Sequence, residues 1–373
     1  MTIHFCPSSG QSIGLELEVQ LIDRKSKDLV SLAPQLLSQL PEEGFKWELF
    51  QCTIEINSRT CRSLPELEGD VRQKLSLLAE VAREQGAEIL LSGTHPFAHW
   101  HHQKITETLR YQKLLKRIRW PVRQFLIFGL HIHVGVSDAD KVIHLLNASK
   151  RYIPHLIALS ASSPFWIGFD TGLASSRVKI FEALPNAGLP PPLPNWKAFD
   201  HLLSLMLKTR SVESIRDIWW DIRPHARYGT IETRICDLMP TLKENLALAS
   251  LVFCLIEFLN ENPSPPLPKN TSQQHWILSQ NKWRAARYGV DAQLITPNNG
   301  EVSIRKEIER MLNMLQPIAE KHGLNKHWQT LSNILTKGAS YQRQRRWFYA
   351  NGKNPRALVD FLQQEYAADA FLA

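Results

Sequence analysis

Two glutamates, Glu16 and Glu18, stand two residues apart in the segment GLELEVQLID, between apolar neighbours. Because a β-strand presents successive side chains on opposite faces, this spacing places both carboxylates on one face and Leu15, Leu17 and Val19 on the other. Adjacent carboxylates repel each other, and they stay ionised at neutral pH only when a positive group lies between them. A divalent cation with oxygen ligands is the usual partner. A half-buried strand with a solvated acidic face is the structural alternative.

The same spacing recurs at His131 and His133, in the apolar segment FLIFGLHIHVGV. Both imidazoles would project from one face of a strand. Burying an imidazole costs free energy unless the ring is hydrogen-bonded or bound to a ligand. The pair therefore indicates either two core histidines satisfied by backbone groups or a site for a metal or a substrate.

A third pair with this spacing, Glu232 and Arg234, lies in the segment GTIETRICD. On an exposed strand the two side chains would form a surface ion pair of little energetic value. In a functional site, Glu232 would instead ligate a metal ion while Arg234 holds a phosphate oxygen, which suits its planar guanidinium group.

Two further carboxylates, Glu48 and Glu55, lie in the segment WELFQCTIEIN, which is typical of one or two strands. Their separation in sequence is odd, so a single straight strand would place them on opposite faces. They can converge on one site only if the chain bends or bulges between them.

The elements that would carry these residues follow one another irregularly. Apolar spacing predicts a helix over residues 64–85 and another over 141–159, with strand-like runs before, between and again over 219–237. The C-terminal part is mostly helical, and proline-rich connections occupy residues 184–195 and 262–270. Since strands and helices do not alternate regularly, we expect an α+β fold with an antiparallel sheet rather than a doubly wound parallel sheet.

The composition is that of a globular protein, with 43% hydrophobic and 21% charged residues among 373. A length of this order allows two ordinary domains or one large one. The net charge of +8 suits an anionic substrate. The dense basic cluster of Arg343, Arg345 and Arg346 makes nucleic-acid binding a weak alternative, because it is short and belongs to no recognisable module.

The cysteines and the apolar segments indicate the cellular location that we expect for the protein. The five cysteines form no CxxC pair, so we expect reduced thiols in a cytoplasmic protein. No secretory leader is apparent at the N-terminus. The longest apolar stretch, residues 246–259, is shorter than the ~20 residues that cross a bilayer, so no membrane segment is expected.

Several familiar motifs are absent from the sequence: the phosphate-binding loop GxxxxGK[ST], the dinucleotide fingerprint GxGxxG and the nucleophile elbow GxSxG. The loop HPFAHWHHQ contains four histidines, but a histidine-rich loop of this kind carries little weight as a metal site. If the protein uses ATP, it must bind the phosphates through bridging metal ions and arginines.

Nine segments of the chain resemble, in the same order, the bacterial carboxylate–amine ligases of the second glutamate–cysteine ligase family. They are GLELEVQLID, LFQCTIEIN, SGTHPFAHW, GLHIHVGV, ALSASSPFW, DTGLASSR, IWWDIRPHARYGTIETRICD, NKWRAARYG and QRQRRWFYANG. The resemblance implies one domain over residues 1–373 with a glutamine synthetase-like catalytic fold, a curved and largely antiparallel sheet with helices packed on its outer face. Family members often carry three consecutive glutamates in the first segment. Here Leu17 takes the middle place. On a strand the middle side chain faces away from the other two, so the loss of this glutamate should not remove a group from the site.

The resemblance also implies a cytoplasmic enzyme of glutathione biosynthesis that uses ATP and Mg²⁺. Matching the motifs residue by residue assigns metal binding to Glu16, Glu18, Glu48, Glu55, His131 and Glu232. The same match assigns nucleotide phosphate binding to Arg234 and Arg343, and catalysis to Glu232 and Arg234. Substrate binding is assigned to Arg177, Arg223 and His133.

The function that follows is ligation of the γ-carboxylate of glutamate to the amine of cysteine or to another amine. Phosphorylation by ATP would convert the carboxylate into an acyl phosphate, which the amine then attacks. A metal-dependent hydrolase of the amidohydrolase type is the alternative, because HxH with carboxylates also describes sites that activate metal-bound water. We expect small-molecule substrates and no nucleic-acid or membrane partner. The sequence leaves the acceptor amine and a homo-oligomer open.

Overall fold

The computed structural model describes residues 3–8, 12–263 and 271–370. Its strands are β1 Ile13–Asp23, β2 Phe45–Trp47, β3 Thr53–Asn57, β4 Ala87–Leu90, β5 Gly129–Gly135, β6 Phe165–Trp166, β7 Phe169–Asp170, β8 Ala187–Gly188, β9 Trp219–Trp220, β10 Ile222–His225, β11 Thr230–Asp237, β12 Gln293–Ile295 and β13 Glu301–Ser303. Its helices are α1 Ala33–Leu37, α2 Leu64–Glu84, α3 Leu109–Ile118, α4 Trp120–Arg123, α5 Ala139–Ser149, α6 Ile153–Ser160, α7 Ser176–Phe181, α8 Trp196–Lys208, α9 Leu242–Glu261, α10 Thr271–Tyr288, α11 Ile304–Lys321, α12 Asn325–Lys337, α13 Ser340–Ala350 and α14 Pro355–Ala370. Most of the second proline-rich connection, residues 264–270, lies outside the described residues.

Seven strands form the main sheet, in the order β10-β11-β5-β1-β3-β2, with β4 paired to the end of β1. Every pairing in this sheet is antiparallel. The α+β fold class expected from the sequence is therefore confirmed. The pairing also removes the fold-level support for an amidohydrolase, because that alternative requires a barrel of parallel strands.

One face of the main sheet is apolar and forms the core. Leu17 of β1 lies opposite Ile56 of β3 and Leu130 of β5, and none of the three is exposed to solvent. Helices α2, α5, α6 and α9 pack against this side of the sheet. The prediction that the middle residue of the first motif faces away from the two glutamates is confirmed.

Helix α2 illustrates how local sequence sets these helices. The hydroxyl of Ser63 accepts a hydrogen bond from the Glu66 amide and caps the first turn. Leu67, Val71 and Leu75 follow at helical spacing and are buried. The helix ends within one residue of the predicted boundary.

The prediction of a single helix over residues 141–159 is wrong. Helix α5 ends at Ser149, a 3₁₀ turn covers Lys150–Tyr152, and α6 begins at Ile153 with Pro154 in its first turn. Proline lacks the amide hydrogen of a helical residue, and its ring clashes with the carbonyl group four residues earlier, so a continuous helix cannot pass through it.

Three observations concern the membrane segment, the cysteines and the domain organisation. Within the described residues, no helix is both long enough and apolar enough to cross a membrane. All five cysteines are free and four are buried. One apolar cluster extends from β1 to α14. The single domain over residues 1–373 stays a prediction.

Candidate metal and phosphate site

The polar face of the sheet brings the first two sequence pairs together. Glu16 lies opposite His131 across β1 and β5, and Glu18 lies opposite Glu55 across β1 and β3. Opposite residues in an antiparallel pair share a face, so all four side chains point to the same side of the sheet. The Nδ1 atom of His131 is 3.0 Å from Oε2 of Glu16, and its Nε2 atom is 3.8 Å from Oε1 of Glu18.

His133 extends this group towards β11, where it lies opposite Glu232. Its Nδ1 atom is 2.9 Å from the Thr230 hydroxyl. Its buried Nε2 atom is 3.3 Å from Oε1 of Glu16, in a geometry that does not form a hydrogen bond. Burial by itself lowers the pKa of His133, but the charges of Glu232 and Glu16 raise that pKa above its usual value.

Glu16 is ionised at the centre of this group. Burial by itself raises the pKa of Glu16, but its interactions with His131 and His133 bring that pKa well below its usual value. The carboxylate of Glu16 is therefore an anionic group between the two imidazoles and could serve as a metal ligand.

Glu232 is buried and held by two arginines. Arg223 contacts both of its oxygens, at 2.7 Å from Nε to Oε2 and 3.2 Å from Nη2 to Oε1, and Arg234 donates to Oε1 as well. Burial by itself raises the pKa of Glu232, but the charges of Arg223 and Arg234 hold it well below its usual range. The remaining nitrogen of Arg223 donates to the carbonyl oxygen of Ile218 at 2.8 Å. Because these contacts all lie within the protein, they give no support to a substrate role for Arg223, which stays a prediction.

Strand β11 is irregular where Arg234 lies. Its register against β5 shifts between Thr233 and Cys236, and the Arg234 amide donates to the carbonyl oxygen of Asp221 at 2.8 Å instead. A bulge of this kind re-aims a side chain next to a site. The Nε atom of Arg234 is buried and has no hydrogen-bond partner within the described part of the chain.

The chain turns between β2 and β3, and this turn brings Glu48 to Glu55, as their odd separation required. Burial raises the pKa of Glu48 well above its usual value, and the charges of Glu55 and Glu18 add to the shift. Burial and the charge of Glu16 raise the pKa of Glu55. Lys46, 3.8 Å from Glu55, offsets this charge only in part. This end of the site has an excess of negative charge that a cation would relieve.

The residues present fit a divalent cation. Glu16, His131 and Glu232 each offer one ligand atom, and these three atoms lie within 4.8 Å of one another. Carboxylate oxygens with an imidazole suit Mg²⁺ or Mn²⁺ better than metals that prefer thiolates. Together with Glu18, Glu48 and Glu55, these three residues form the charge cluster on the polar face of the sheet. Metal binding by all six residues stays a prediction.

Arg177 is buried beside the site. Its guanidinium group donates to the carbonyl oxygens of Ile235 and Arg234, each at 3.2 Å. It packs so closely against Gly129 that a Cβ atom there would lie 2.1 Å from its Nη2 atom. These contacts support the backbone that carries Arg234. They do not support substrate binding by Arg177, which stays a prediction.

Arg343 is the predicted residue that the structure does not bring to this group. Its Nε atom is 2.6 Å from Glu365 of α14, its Nη1 atom is 2.9 Å from Glu244 of α9, and Nη1 also donates to the Gly338 carbonyl oxygen. Binding phosphate would require Arg343 to leave both carboxylates. The phosphate role of Arg343 therefore stays a prediction without geometric support.

The sequence patterns do not identify Asp237, the last residue of β11. Its carboxylate accepts hydrogen bonds from the Ser162 amide at 2.9 Å and from the hydroxyls of Ser163 and Ser175 at 2.7 and 2.9 Å. This network ties the segment before α7 to the end of the sheet. The serines in the matching segments ALSASSPFW and DTGLASSR were the available signal.

Lys282 and Asp221 form a second buried pair that the patterns missed. The Lys282 Nζ atom is 2.5 Å from Oδ2 of Asp221 and 2.7 Å from Oε1 of Glu182. Since the carbonyl oxygen of Asp221 holds the Arg234 amide, this ion pair anchors the strand segment beside Arg234.

The loop HPFAHWHHQ begins with a structural histidine. The Nε2 atom of His95 is 2.9 Å from the Lys27 carbonyl oxygen, and its Nδ1 atom accepts from the Phe97 and Ala98 amides at 3.4 and 3.0 Å. Because Nδ1 is an acceptor, the proton must lie on Nε2 and the ring is neutral. Burial lowers the pKa of His95 to about 3.

Comparison with known proteins places the chain in a family. The model of the family described as Glutamate-cysteine ligase family 2 matches residues 12–360. A relative from Frankia casuarinae, provisionally named glutamate–cysteine ligase 2-1, is 41% identical over 373 residues, which cover 98% of this chain and 97% of the relative. A relative from Gloeobacter violaceus, provisionally named glutamate–cysteine ligase 2, is also 41% identical, with coverage of 97% and 99%.

Two solved structures share the fold. A Francisella tularensis glutamate–cysteine ligase in complex with AMP has a TM-score of 0.74 at 13% identity, over 99% of this chain and 92% of that one. A bifunctional glutathione synthetase from Pasteurella multocida has a TM-score of 0.70 at 16% identity, over 96% of this chain and 52% of that one. The family match and the relatives confirm the ATP-dependent carbon–nitrogen ligase that the nine segments predicted. The chain belongs to glutamate–cysteine ligase family 2.

Proposed function

We propose that the protein binds ATP and Mg²⁺ and joins the γ-carboxylate of glutamate to an amine, with cysteine as the first candidate. The observation that carries the proposal is the convergence of ligand atoms from Glu16, His131 and Glu232, with Arg234 on the same carboxylate. The names of the relatives support the two amino acids, and the AMP bound by the Francisella enzyme supports an adenine nucleotide. A cytoplasmic location is part of the proposal and rests on the unpaired cysteines.

Six side chains would hold the metal ions, and all of them belong to the charge cluster on the polar face of the sheet: Glu16, Glu18, Glu48, Glu55, His131 and Glu232. When bound, Mg²⁺ neutralises the phosphate charge and aligns the γ-phosphoryl group for transfer. Burial and neighbouring carboxylates raise the pKa values of Glu48 and Glu55, and a bound cation would relieve that repulsion.

Arg234 would contact the phosphate oxygens. It now donates to Glu232, a carboxylate that Arg223 also holds through two bonds. Because Arg223 holds Glu232 through two bonds and is itself anchored to Ile218, Arg234 could turn to the nucleotide without leaving Glu232 unpaired. The charge of Arg234 would stabilise the negative charge that develops during phosphoryl transfer.

The two chemical steps need alignment more than a protein nucleophile. A carboxylate oxygen of glutamate attacks the γ-phosphorus, the bond to ADP breaks, and an acyl phosphate forms. The amine then attacks the carbonyl carbon, phosphate leaves, and a proton is released as the amide forms. The polar face of the sheet would hold both partners in contact, which converts a bimolecular step into one within a complex.

An ADP-release assay with Mg²⁺, ATP, L-glutamate and a panel of amines tests the proposal. We expect ADP release that requires both glutamate and one amine. If no pair of carboxylate and amine stimulates ADP release, the proposed ligation is wrong. If an amine other than cysteine is required, the ligase stands and the acceptor changes.

The metal assignment is tested with Glu16→Gln, which keeps the shape of the side chain and removes its charge. We expect activity to fall by about 100-fold or more and the thermal stabilisation by Mg²⁺ to be lost. Glu42→Gln, at an exposed position outside the site, should keep both properties. Full turnover by Glu16→Gln would remove Glu16 from the site.

Metal analysis separates the ligase from the hydrolase alternative. Dependence on added Mg²⁺, with consumption of ATP, supports the ligase. Tightly held zinc together with amide hydrolysis in the absence of ATP would support the hydrolase.

A further inference from the structure

Helix α3 is held by side-chain contacts near both of its ends. Tyr111 is its one buried residue in the described structure. The hydroxyl group of Tyr111 donates to the Trp47 carbonyl oxygen at 3.2 Å, on the edge strand β2. Seven residues of chain, Tyr111 to Arg117, then lead to the other edge of the sheet, where Arg117 Nη2 is 2.8 Å from Asp217 Oδ2.

These two contacts connect α3 with both edges of the main sheet. Strands β2 and β10 stand at opposite ends of the strand order, yet one short helix touches Trp47 in β2 and the segment that leads into β10. That segment is continuous with the site, because the residue after Asp217, Ile218, holds Arg223 through its carbonyl oxygen. Helix α3 therefore contacts the residue before Glu48 and the residue before Ile218, so both of these contacts lie next to the candidate site.

A cavity of about 350 Å³ lies between α3 and the segment around Asp217. Its volume falls within the range of small-molecule pockets. Three arginines and two acidic residues line it, together with Leu114: Arg110, Arg117, Arg216, Glu213 and Asp217. The lining has more positive than negative charge, whereas the candidate metal site is rich in carboxylates.

The arginines of the cavity are incompletely paired. Arg117 uses Nη2 for Asp217, but its Nε and Nη1 atoms are closed off from solvent and have no hydrogen-bond partner among the described residues. In the same part of the structure, Arg110 and Arg216 are exposed residues of the lining, and neither has a carboxylate within ion-pair distance. The two buried nitrogens of Arg117, which lack a partner, call for a ligand or an ordered water molecule.

We propose that this cavity binds the α-carboxylate of an amino-acid substrate, with Arg110, Arg117 and Arg216 as its recognition groups. A guanidinium group matches a carboxylate in shape and charge. A carboxylate entering the cavity would supply an acceptor to the buried nitrogens of Arg117 and would have two exposed positive charges, Arg110 and Arg216, as neighbours. Asp217 of the lining precedes Ile218, which holds Arg223, so the remainder of the substrate would extend from the cavity towards Arg223 and Glu232. This inference rests on the proposed function and adds the means by which the amino acid is held.

The test compares amino acids with analogues that lack only the α-carboxylate. Isothermal titration of the full-length, Mg²⁺-loaded protein is carried out with L-glutamate and γ-aminobutyrate, and separately with L-cysteine and cysteamine. The variants are Arg216→Gln and Arg110→Gln, since neither arginine has an acidic partner whose loss would loosen α3. Arg123→Gln, exposed on α4 and outside the cavity lining, is the matched charge control.

We expect Arg216→Gln and Arg110→Gln to weaken the binding of one amino acid at least tenfold and to leave its decarboxylated analogue unchanged, with Arg123→Gln like the wild type. The amino acid that shows the loss identifies the substrate whose carboxylate is held. Wild-type affinity of both variants for both amino acids would overturn the inference, and so would an equal loss for the analogues. Weakened binding of ATP or inorganic phosphate alone would also overturn it, because the cavity would then be a phosphate site.

Failure of this inference can be told apart from failure of the proposed function. If ADP release requires glutamate and an amine but the variants bind amino acids normally, only the cavity assignment is wrong. If the variants lose amino-acid binding as expected but no pair stimulates ADP release, the cavity assignment stands and the ligation is wrong.

Discussion

Arg223 and Glu232 face each other across β10 and β11, and the guanidinium group contacts both oxygens of the carboxylate, at 2.7 and 3.2 Å. Two parallel bonds fix the plane of the carboxylate as well as its position. The carbonyl oxygen of Ile218 fixes the guanidinium group in turn. Glu232 is thus oriented by the protein itself, before any substrate arrives.

Replacing Arg223 should destabilise the fold mainly through the charge that it leaves behind. Arg223→Leu is expected to lower the free energy of unfolding by about 3 kcal/mol, because Glu232 would stay buried with only Arg234 as a partner. The double variant Arg223→Leu/Glu232→Gln should recover part of that loss. Urea denaturation of the metal-free proteins measures both. Equal destabilisation in the single and double variants would show that packing, and not the unpaired charge, sets the cost.

Glu48→Gln should stabilise the metal-free protein at high pH. Burial and the charges of Glu55 and Glu18 raise the pKa of Glu48, so the folded state holds its proton more tightly than the unfolded state does. Stability from this group is therefore present at low pH and is lost as the pH rises through the folded-state pKa. The glutamine variant cannot ionise, and we expect it to gain about 1 kcal/mol or more over the wild type at pH 8.

Urea denaturation in the presence of a chelator, at pH 5 and pH 8, tests this expectation. Glu42→Gln, at an exposed position, should change neither value. A Glu48→Gln protein that is no more stable than the wild type at pH 8 would mean that the repulsion at this end of the site is already compensated.

His95 should make the protein less stable in weak acid. Its pKa is lowered to about 3 by burial, from the usual 6.5, so between these values the unfolded state binds a proton that the folded state does not. Stability is complete above the unfolded pKa and falls as the pH drops below it. Between pH 7 and pH 5.5 this one residue should cost about 1 kcal/mol.

The measurement is the change in unfolding free energy between these two pH values. It should be smaller by that amount in His95→Gln than in the wild type, whatever the variant costs at pH 7. His275→Gln, which removes an exposed histidine, should keep the pH dependence of the wild type. An unchanged pH dependence in His95→Gln would contradict the buried neutral ring.

Gly129→Ala should disturb the site through Arg177. A methyl group at Gly129 would lie 2.1 Å from Nη2 of Arg177 and 3.1 Å from Nε2 of His131, so one of them must move. We expect a loss of about 2 kcal/mol in stability together with a loss of activity. Gly69→Ala is the matched control, because it lies in helix α2 with no atom within 4 Å of the added carbon. That variant should instead gain about 0.5–1 kcal/mol from helix propensity.

The composition of the site could be predicted from the sequence because a period of two is a local property. Glu16 and Glu18 share a face whatever the strand pairs with, and the same holds for His131 and His133. The pairing of Glu16 with His131 joins residues 115 positions apart, and no local pattern contains it. The resemblance to a family, and not the spacing, indicated that these residues belong to one metal site.

The sequence predicted poorly the contacts of residues whose partners depend on long-range pairing or on strand register. Arg343 stands in a basic segment, but its contacts with Glu244 are made across 99 positions and occupy the group that was expected to bind phosphate. Arg223 was expected at the substrate, and the register of β10 against β11 sets it on Glu232 instead. The break in the helix predicted over 141–159 was readable, since Pro154 marks it.

Strand β1 carries Glu16 and Glu18 in the interior of the sheet, between β5 on one side and β3 on the other. Backbone amides in such a position exchange with solvent only when the whole domain opens. The two carboxylates therefore sit on a segment that does not fray or open by itself. Heating should leave the geometry of the candidate site intact up to the unfolding transition, so cation affinity and folded structure would disappear at the same temperature rather than in sequence.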